Sequence, residues 1–559
     1  MADEKTQAPP MVTLKIDGQT VTVPKGTNLL EAAESIGIPI SYFCYFPGLS
    51  SPAVCRQCLV DVKGQPKLVP SCYTPVTDNM EVQTATEKVL ASRRQMLEFT
   101  LVNHPVDCPI CDKAGECLLQ KLYMEWDGSE SRVDLNKVHK PKAVDLGPEI
   151  VLDAERCILC TRCIRVCDEV AGTHQLEMSF RGDHEILGVA PGKRLDHPYS
   201  INTVDVCPVG ALTSKDFRFT MRAWELYATP SVCPGCATGC NVEVHHAQGR
   251  AWRMVPRHNP EVNKYWMCDE GRVTYKELGE RRVVGARHTD DPVPLDKALG
   301  HAAERLAKAR EEGRGIGVVF GAQATNEDLY LLGRVVFDIL DVQQVYLGGR
   351  PAAPERADAI LRMADVNPNR AGARILSRGR AGELSELERA LVERRLAALW
   401  VVGEDVSLGE AALSALAGVD VIVQAVHENT LTERARVVLP AAAWAEVDGT
   451  FTRTSPAPWV SNTHRPLAWN LDGGVPESAV QGTGRLVQRI RRVLDPPGGA
   501  LPHWELIAGI ARKLGVAIEL PARPLVLFNE MKAKVPEFAD AQWGRPVPLT
   551  QLRFAGSRG

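Results

Sequence analysis

Sixteen cysteines lie between Cys44 and Cys268 of this 559-residue chain, and none follows. Spacing sorts them into four sets. The first is Cys44, Cys55, Cys58 and Cys72. The second is Cys108, Cys111 and Cys117, with His104 just upstream. The third is Cys157, Cys160, Cys163, Cys167 and Cys207, and the fourth is Cys233, Cys236, Cys240 and Cys268. Thiolates and imidazoles so spaced ligate iron–sulfur clusters or zinc. The opening MADEKTQAPP lacks the apolar stretch of a secretory signal. A reducing compartment is therefore expected, where dense cysteines mean metal ligation rather than disulfides. The array reads as a wire of iron–sulfur clusters.

The third set is the most specific. ERCILCTRCIRVCDEVAG spells C-x2-C-x2-C-x3-C, and Cys207-Pro208 follows in VDVCPVGALT. In this bacterial-ferredoxin pattern three close cysteines and a remote Cys-Pro hold one [4Fe–4S] cluster. Cys157, Cys160, Cys163 and Cys207 are the expected ligands. Cys167 has no proline after it and no second set to serve, so it is expected to be a small packed thiol.

The other sets leave more open. In the first, C-x10-C-x2-C-x13-C suits a [2Fe–2S] site like that of plant-type ferredoxins with a longer first spacing, but a zinc ribbon would use the same Cys55–Cys58 pair. In the second, three cysteines lack a fourth partner and His104 is expected to supply it, with zinc on the same histidine and three cysteines as the alternative. A neutral imidazole makes the site less anionic and raises its potential. In the fourth, NVEVHHAQGRAWRMVPR turns at Gly249, so a hairpin would return Cys268 to Cys233, Cys236 and Cys240. Zinc competes there too, and the neighbouring sets favour [4Fe–4S]. His245 and His246 on this hairpin are expected to be exposed strand residues.

The elements that must carry these ligands are legible in part. MVTLKIDGQTVTVP (11–24) alternates around Asp17-Gly18, a hairpin signal. NLLEAAESIG (28–37) predicts a short helix with Asn28 and Glu31 at capping spacing and Gly37 at its stop. A hairpin and helix before a cysteine loop is the layout of a β-grasp ferredoxin. Residues 87–103 predict a helix with Leu90, Leu97 and Leu101 on one face and Val89 and Met96 beside it. Residues 118–150 read as a polar connecting loop. Beyond 275, IGVVFG, LAALWVVG, VDVIVQAV and ARVVLP alternate with helical stretches such as NEDLYLLGRVVFDIL, which predicts a doubly wound α/β layer. A further amphipathic helix is expected near 503–514. GRGIGVVFG places its glycines before the strand and lacks the third glycine, so a dinucleotide site is rejected. No Walker A sequence occurs.

Length and composition are those of a multidomain globular chain. A formal net charge of -4 gives no sign of nucleic-acid binding. No apolar run approaches a membrane span.

The four sets in order, followed by the α/β tail, resemble the large iron–sulfur (G) subunit of NADH–quinone oxidoreductase, respiratory complex I. The resemblance rests on SYFCYFPGLSSPAVCRQCLVDV, HPVDCPICDKAGEC, CILCTRCIRVC, VCPVGALTSK and CPGCATGC…MCDEGR. Farther on, RARVVLPAAAWAEVDGTFTRT resembles the degenerate molybdopterin-oxidoreductase domain of that family. The resemblance implies one [2Fe–2S] cluster on Cys44, Cys55, Cys58 and Cys72. It implies three [4Fe–4S] clusters: one on His104, Cys108, Cys111 and Cys117, one on Cys157, Cys160, Cys163 and Cys207, and one off the main route on Cys233, Cys236, Cys240 and Cys268. The family usually carries another residue where Cys167 stands.

The implied architecture is α+β followed by α/β. It comprises a β-grasp [2Fe–2S] domain (1–86), a [4Fe–4S] domain ligated by one histidine and three cysteines (87–147), a [4Fe–4S] ferredoxin-like domain (148–222) and a small cluster-binding β domain (223–282). A molybdopterin-oxidoreductase-like region without active cofactor (283–559) completes it. The implied role is electron relay only, within a translocase-class enzyme. Expected partners are a flavin- and NADH-binding subunit and a downstream iron–sulfur subunit. No NADH, flavin, quinone or nucleic-acid site and no catalytic residue is expected. The expected location is the cytoplasmic side of the inner membrane, attached through the complex. The alternative is the large subunit of a molybdenum formate dehydrogenase; such enzymes commonly bind molybdenum through a cysteine or selenocysteine downstream, and this chain has none after Cys268. An iron-only hydrogenase needs further cysteines too, and is rejected.

Overall fold

The computed structural model describes residues 10–126, 132–134, 136–403, 406–453, 486–516 and 523–544. They form two compact units, divided between Leu226 and Tyr227.

In the first unit, strands Met11–Ile16 and Gln19–Pro24 pair antiparallel. Asp17 and Gly18 between them are both left-handed (φ 47° and 80°), the backbone a two-residue type I′ turn requires. Met11–Ile16 also pairs parallel with Glu81–Gln83, and Leu59–Val62 and Val69–Pro70 complete a five-stranded sheet. Val12, Leu14, Ile16, Val21 and Val23 are buried together with Leu29, Leu30, Ala32 and Ala33 of helix Leu29–Ser35. Asn28 Oδ1 caps that helix by accepting from Glu31 N at 2.9 Å. Cys58 and Cys72 lie in the same core.

Helix Glu87–Leu101 forms as expected, but its buried row is Val89, Arg93 and Leu97; Leu90, Leu101 and Met96 are half-buried. A charged residue hid the row's centre from apolar periodicity. Arg93 lies 5.1 Å over the Trp126 ring. Trp126 ends a helix, Leu118–Trp126, where the sequence suggested a loop. Leu118, Leu119 and Leu122 bury one side of it, a pattern the polar residues beyond Trp126 obscured. The third cysteine set is carried by a small sheet of Val144–Asp145, Ile150–Leu152 and Leu212–Ser214, with a hairpin of Leu176–Ser179 and Ile186–Val189.

The second unit opens with the antiparallel sheet Tyr227–Val232, Asn241–Ala247, Arg250–Pro256, turning at Gly249. His245 and His246 are half-buried rather than exposed. Arg253 Nε donates to His245 Nδ1 (3.0 Å), and His246 Nε2 meets Thr229 Oγ1 (3.0 Å); cross-strand partners draw both rings into the sheet. A seven-stranded sheet follows, in spatial order Asp291–Pro292, Arg287–His288, Val437–Pro440, Asp420–Ala425, Leu396–Val402, Gly315–Gly321, Gln344–Gly348. Its last five strands are parallel. Both faces are covered, as continuous apolar strands require. Val318, Phe320, Trp400 and Val402 pack with helices Leu295–Glu311 and His503–Lys513, while Val319, Leu399 and Val401 pack with helix Leu384–Val392. Strand Gln344–Gly348 and helix Pro524–Lys534 were not foreseen.

Helix Asn326–Gly333 begins with a capping box of Thr325 and Asp328. Beside it Glu327 is wholly buried, its carboxyl accepting from Thr450 N (2.7 Å) and Thr450 Oγ1 (2.8 Å). Burial pushes the Glu327 carboxyl up to about 8. The folded chain then keeps a proton that the unfolded chain releases. This stability is complete below the unfolded value and is lost as pH rises through the folded one. Glu327→Gln should flatten the fall in Tm between about pH 4.5 and 8; melts with an unchanged pH slope would show that Glu327 does not hold that proton.

Candidate cluster sites

The first set converges. Cys58 Sγ and Cys72 Sγ are 3.4 Å apart, and the Cys44 thiol bonds with those of Cys55 and Cys72. Phe43 N and Cys44 N both donate to Cys55 Sγ at 3.4 Å. Those bonds favour a thiolate there and would raise a bound cluster's potential. The Cys55 and Cys72 thiols hold Cys44 far below the ordinary thiol range, and Cys44 in turn pushes both of them up.

In the third set, Cys157, Cys160, Cys163 and Cys207 line one cavity, closed by Met178, Leu187, Val209, Ala211 and Leu212. Burial raises Cys157 to about 12 and Cys160 to about 11. Four thiols in an apolar pocket suit a cationic iron core, which deprotonates its ligands outright. Cys167 does not line the cavity. It is fully buried behind it, with Sγ 3.5 Å from His197 Nε2.

The second set hangs from the end of helix Glu87–Leu101. Cys111 lies within electrostatic reach of Cys108 and Cys117. His104 N closes the last turn on Leu101 O (3.2 Å), and its Nδ1 is buried without a hydrogen-bond partner. Burial, then Lys137 and Arg156, hold the ring down at about 4, so it is a neutral imidazole with a lone pair to give. No hydrogen bond joins it to the thiols. An orphaned buried nitrogen a few residues before three cysteines in sequence suits a metal ligand.

Close contacts join the sets of this unit. Leu118 N donates to Pro208 O (2.9 Å), and a Cβ on Gly210 would lie 2.3 Å from Cys111 Sγ. The turn after Cys207 therefore abuts the second set. Arg165 donates to Cys44 O, and Ser50 N to Glu169 Oε2 (2.8 Å), joining the first set to the third.

In the second unit, Cys233, Cys236, Cys240 and Cys268 are buried within electrostatic reach of one another. Cys233 N bonds Cys240 O (2.8 Å), closing the loop. Gly235 N and Gly271 N donate to Cys233 Sγ and Cys268 Sγ at 3.4 Å. A Cβ on Gly271 would stand 3.1 and 3.3 Å from Sγ of Cys233 and Cys268, so glycine clears the cradle. Burial raises Cys233 to about 12. Among the described residues, no three Cys, His, Asp or Glu side chains close on one point as around a single ion.

These thiol-lined sites define a protein built from iron–sulfur domains, and the family comparisons agree. Residues 10–87 match the 2Fe-2S iron-sulfur cluster binding domain and 93–132 the NADH-ubiquinone oxidoreductase-G iron-sulfur binding region. Residues 147–213 match the ferredoxin-like domain of NADH-quinone oxidoreductase subunit 3, and 227–278 the molybdopterin oxidoreductase Fe4S4 domain. The NADH-quinone oxidoreductase G subunit of Mycobacterium bovis is 39% identical over 401 residues, covering 70% of this chain and 48% of that protein. Its Streptomyces coelicolor counterpart is 39% identical over 62% of this chain and 42% of its own. The NADH-ubiquinone oxidoreductase 75 kDa subunit of Reclinomonas americana is 36% identical over 64% and 53%. Over the stretch they share, the chain is similar to the G subunits of NADH-quinone oxidoreductases. It spans about half the length of these relatives.

Cys207→Ser should lose or degrade one tetranuclear cluster while Cys167→Ser keeps all, read as iron and acid-labile sulfide per chain; the reverse result reassigns the ligands. Gly210→Ala should selectively weaken the cluster at Cys111, because its methyl meets that sulfur. An unchanged low-temperature EPR spectrum would place the second cluster elsewhere.

Proposed function

We propose that this chain is an electron-relay subunit of a respiratory NADH:quinone oxidoreductase, carrying electrons from a flavin-bearing partner toward quinone. The observation that carries the proposal is the short turn from Cys207 to Gly210. It bears the last thiol of the third set and lies against Cys111 of the second. With Cys44 tied to Arg165 of the third set as well, that set is in contact with both of the others. A relay needs such juxtaposition.

On this reading a binuclear cluster takes Cys44, Cys55, Cys58 and Cys72. Tetranuclear clusters take His104 with Cys108, Cys111 and Cys117; Cys157, Cys160 and Cys163 with Cys207; and Cys233, Cys236 and Cys240 with Cys268. Bound, they supply reversible one-electron chemistry. The chain's own part is to hold sulfur, shut out water with walls such as Met178 and Leu187, and set potentials through N–H···S bonds from Phe43, Cys44, Gly235 and Gly271.

The first unit then comprises a β-grasp domain, a domain with one histidine and three cysteine ligands, and a ferredoxin-like domain, bounded near residues 86, 147 and 222. The second comprises a cluster domain and a doubly wound region that serves for packing and docking without molybdopterin. Partners would be a flavin subunit and a downstream iron–sulfur subunit. No helix among the described residues is long and apolar enough to cross a membrane, and we place attachment, on the cytoplasmic face, with other subunits.

Metal and sulfide analysis tests the reading. Reconstituted protein should hold one binuclear and three tetranuclear clusters, without molybdenum or pterin. Stoichiometric zinc with little labile sulfide would overturn it. Molybdenum with pterin would favour the formate dehydrogenase alternative.

A further inference from the structure

Two arginines in the third set occupy an unusual position. Arg162 and Arg165 are 5% and 8% exposed, and arginine is almost never so buried unless paired. Among the described residues neither guanidinium lies within ion-pair reach of a carboxylate. Glu169, which feels the charge of Arg165, is engaged instead by Ser50 N and Oγ.

Their hydrogen bonds go to backbone carbonyls beside the cysteines of both sets. Arg162 Nη1 donates to Val206 O (3.0 Å), next to Cys207, and Nη2 to Tyr45 O, next to Cys44. Arg165 Nη2 donates to Cys44 O (2.5 Å) and Cys160 O (3.4 Å), and Nη1 to Ser50 O. Arg162 also lies 5.9 and 5.7 Å over the rings of Tyr42 and Phe46. Carbonyl dipoles and ring faces offset a buried cation only in part, and an uncompensated buried charge costs several kcal/mol or more.

We propose that Arg162 and Arg165 are positioning residues shared by the first and third sets, whose charges are balanced by the anionic clusters there. This rests on the iron–sulfur reading above. Their carbonyl clamps fix the loop of Cys44 against the segment of Cys160 and Cys207. Their two positive charges favour the more negative, reduced form of either cluster. Each reduction adds one electron, drawn from the preceding donor, without making or breaking a bond. Removing a charge should therefore lower both potentials together.

Redox titration of the reconstituted full chain, followed by EPR, tests this with Arg165→Gln, Arg165→Lys, Arg162→Gln and the exposed control Arg132→Gln. At a fixed ambient potential, each of the buried glutamine variants should reduce the fraction of both clusters in the reduced form, expressed as reduced over oxidised, by about tenfold, or about 59 mV for a one-electron couple. Arg165→Lys should restore most of the shift, and the control should change nothing. Loss of both clusters in the glutamine variants, with retention in Arg165→Lys, supports the same conclusion, since charge separates the two. Intact clusters at wild-type potentials, a shift confined to one cluster, or equal loss in the lysine variant would overturn it. A wild-type chain lacking either spectrum would instead sink the parent reading.

Discussion

Buried sulfur is the constraint on which the rest of the structure depends. Burial drives thiols such as Cys157, Cys160 and Cys233 upward, toward the protonated form. Only a bound cationic core makes thiolates favourable there. Much of the surrounding architecture answers this requirement. Backbone N–H groups point at Cys55, Cys233 and Cys268, glycine at 271 leaves room for two sulfurs, and cations stand close by. Arg356 and Arg362 both bind Glu270 at 2.6 and 2.9 Å, two residues past Cys268.

The two units meet that constraint differently. In the first, small sheets provide little core, and the hydrophobic cluster that includes Phe43, Leu118 and Leu212 also contains Cys163 and Cys207. Candidate ligands there are part of the core, so on the proposed reading cluster loading and folding should be linked. The second unit has a large core on both faces of its parallel sheet, and its cysteine loop is fastened to it. Thr238 Oγ1 donates to Leu361 O, Ala237 N to Asp365 O (2.9 Å) and Gln488 Nε2 to Gly239 O (2.9 Å). An α/β layer that grips a cysteine loop this way has a structural use independent of any catalytic cofactor, in keeping with the rule that fold does not fix function.

What could be read beforehand follows from the range of the interactions involved. The Asp17-Gly18 turn, the Asn28 cap and the parallel strands at Gly315–Gly321 and Leu396–Val402 are local, and spacing revealed them. The separation of Cys167 from Cys207 was legible because proline marks one and not the other, and only Cys207 lines the cavity. What stayed hidden depends on contacts distant in sequence. Arg93 at the centre of a buried row, Gly210 against Cys111, and the half-buried His245 and His246 all owe their places to partners that no local period announces. Arg162 and Arg165 belong with them, since a CTRCIRVC run gives no hint that its arginines reach Tyr45 and Cys44.

On the proposed reading, three of the four sets hold clusters close enough to pass electrons in the order first, third, second. Stepwise reduction of the full chain under low-temperature EPR measures it directly. One binuclear and three tetranuclear signals are expected, with magnetic interaction between the first and third and between the third and second once both members of a pair are reduced. Signals that grow in with no mutual broadening, or a protein with no reducible iron, would contradict it.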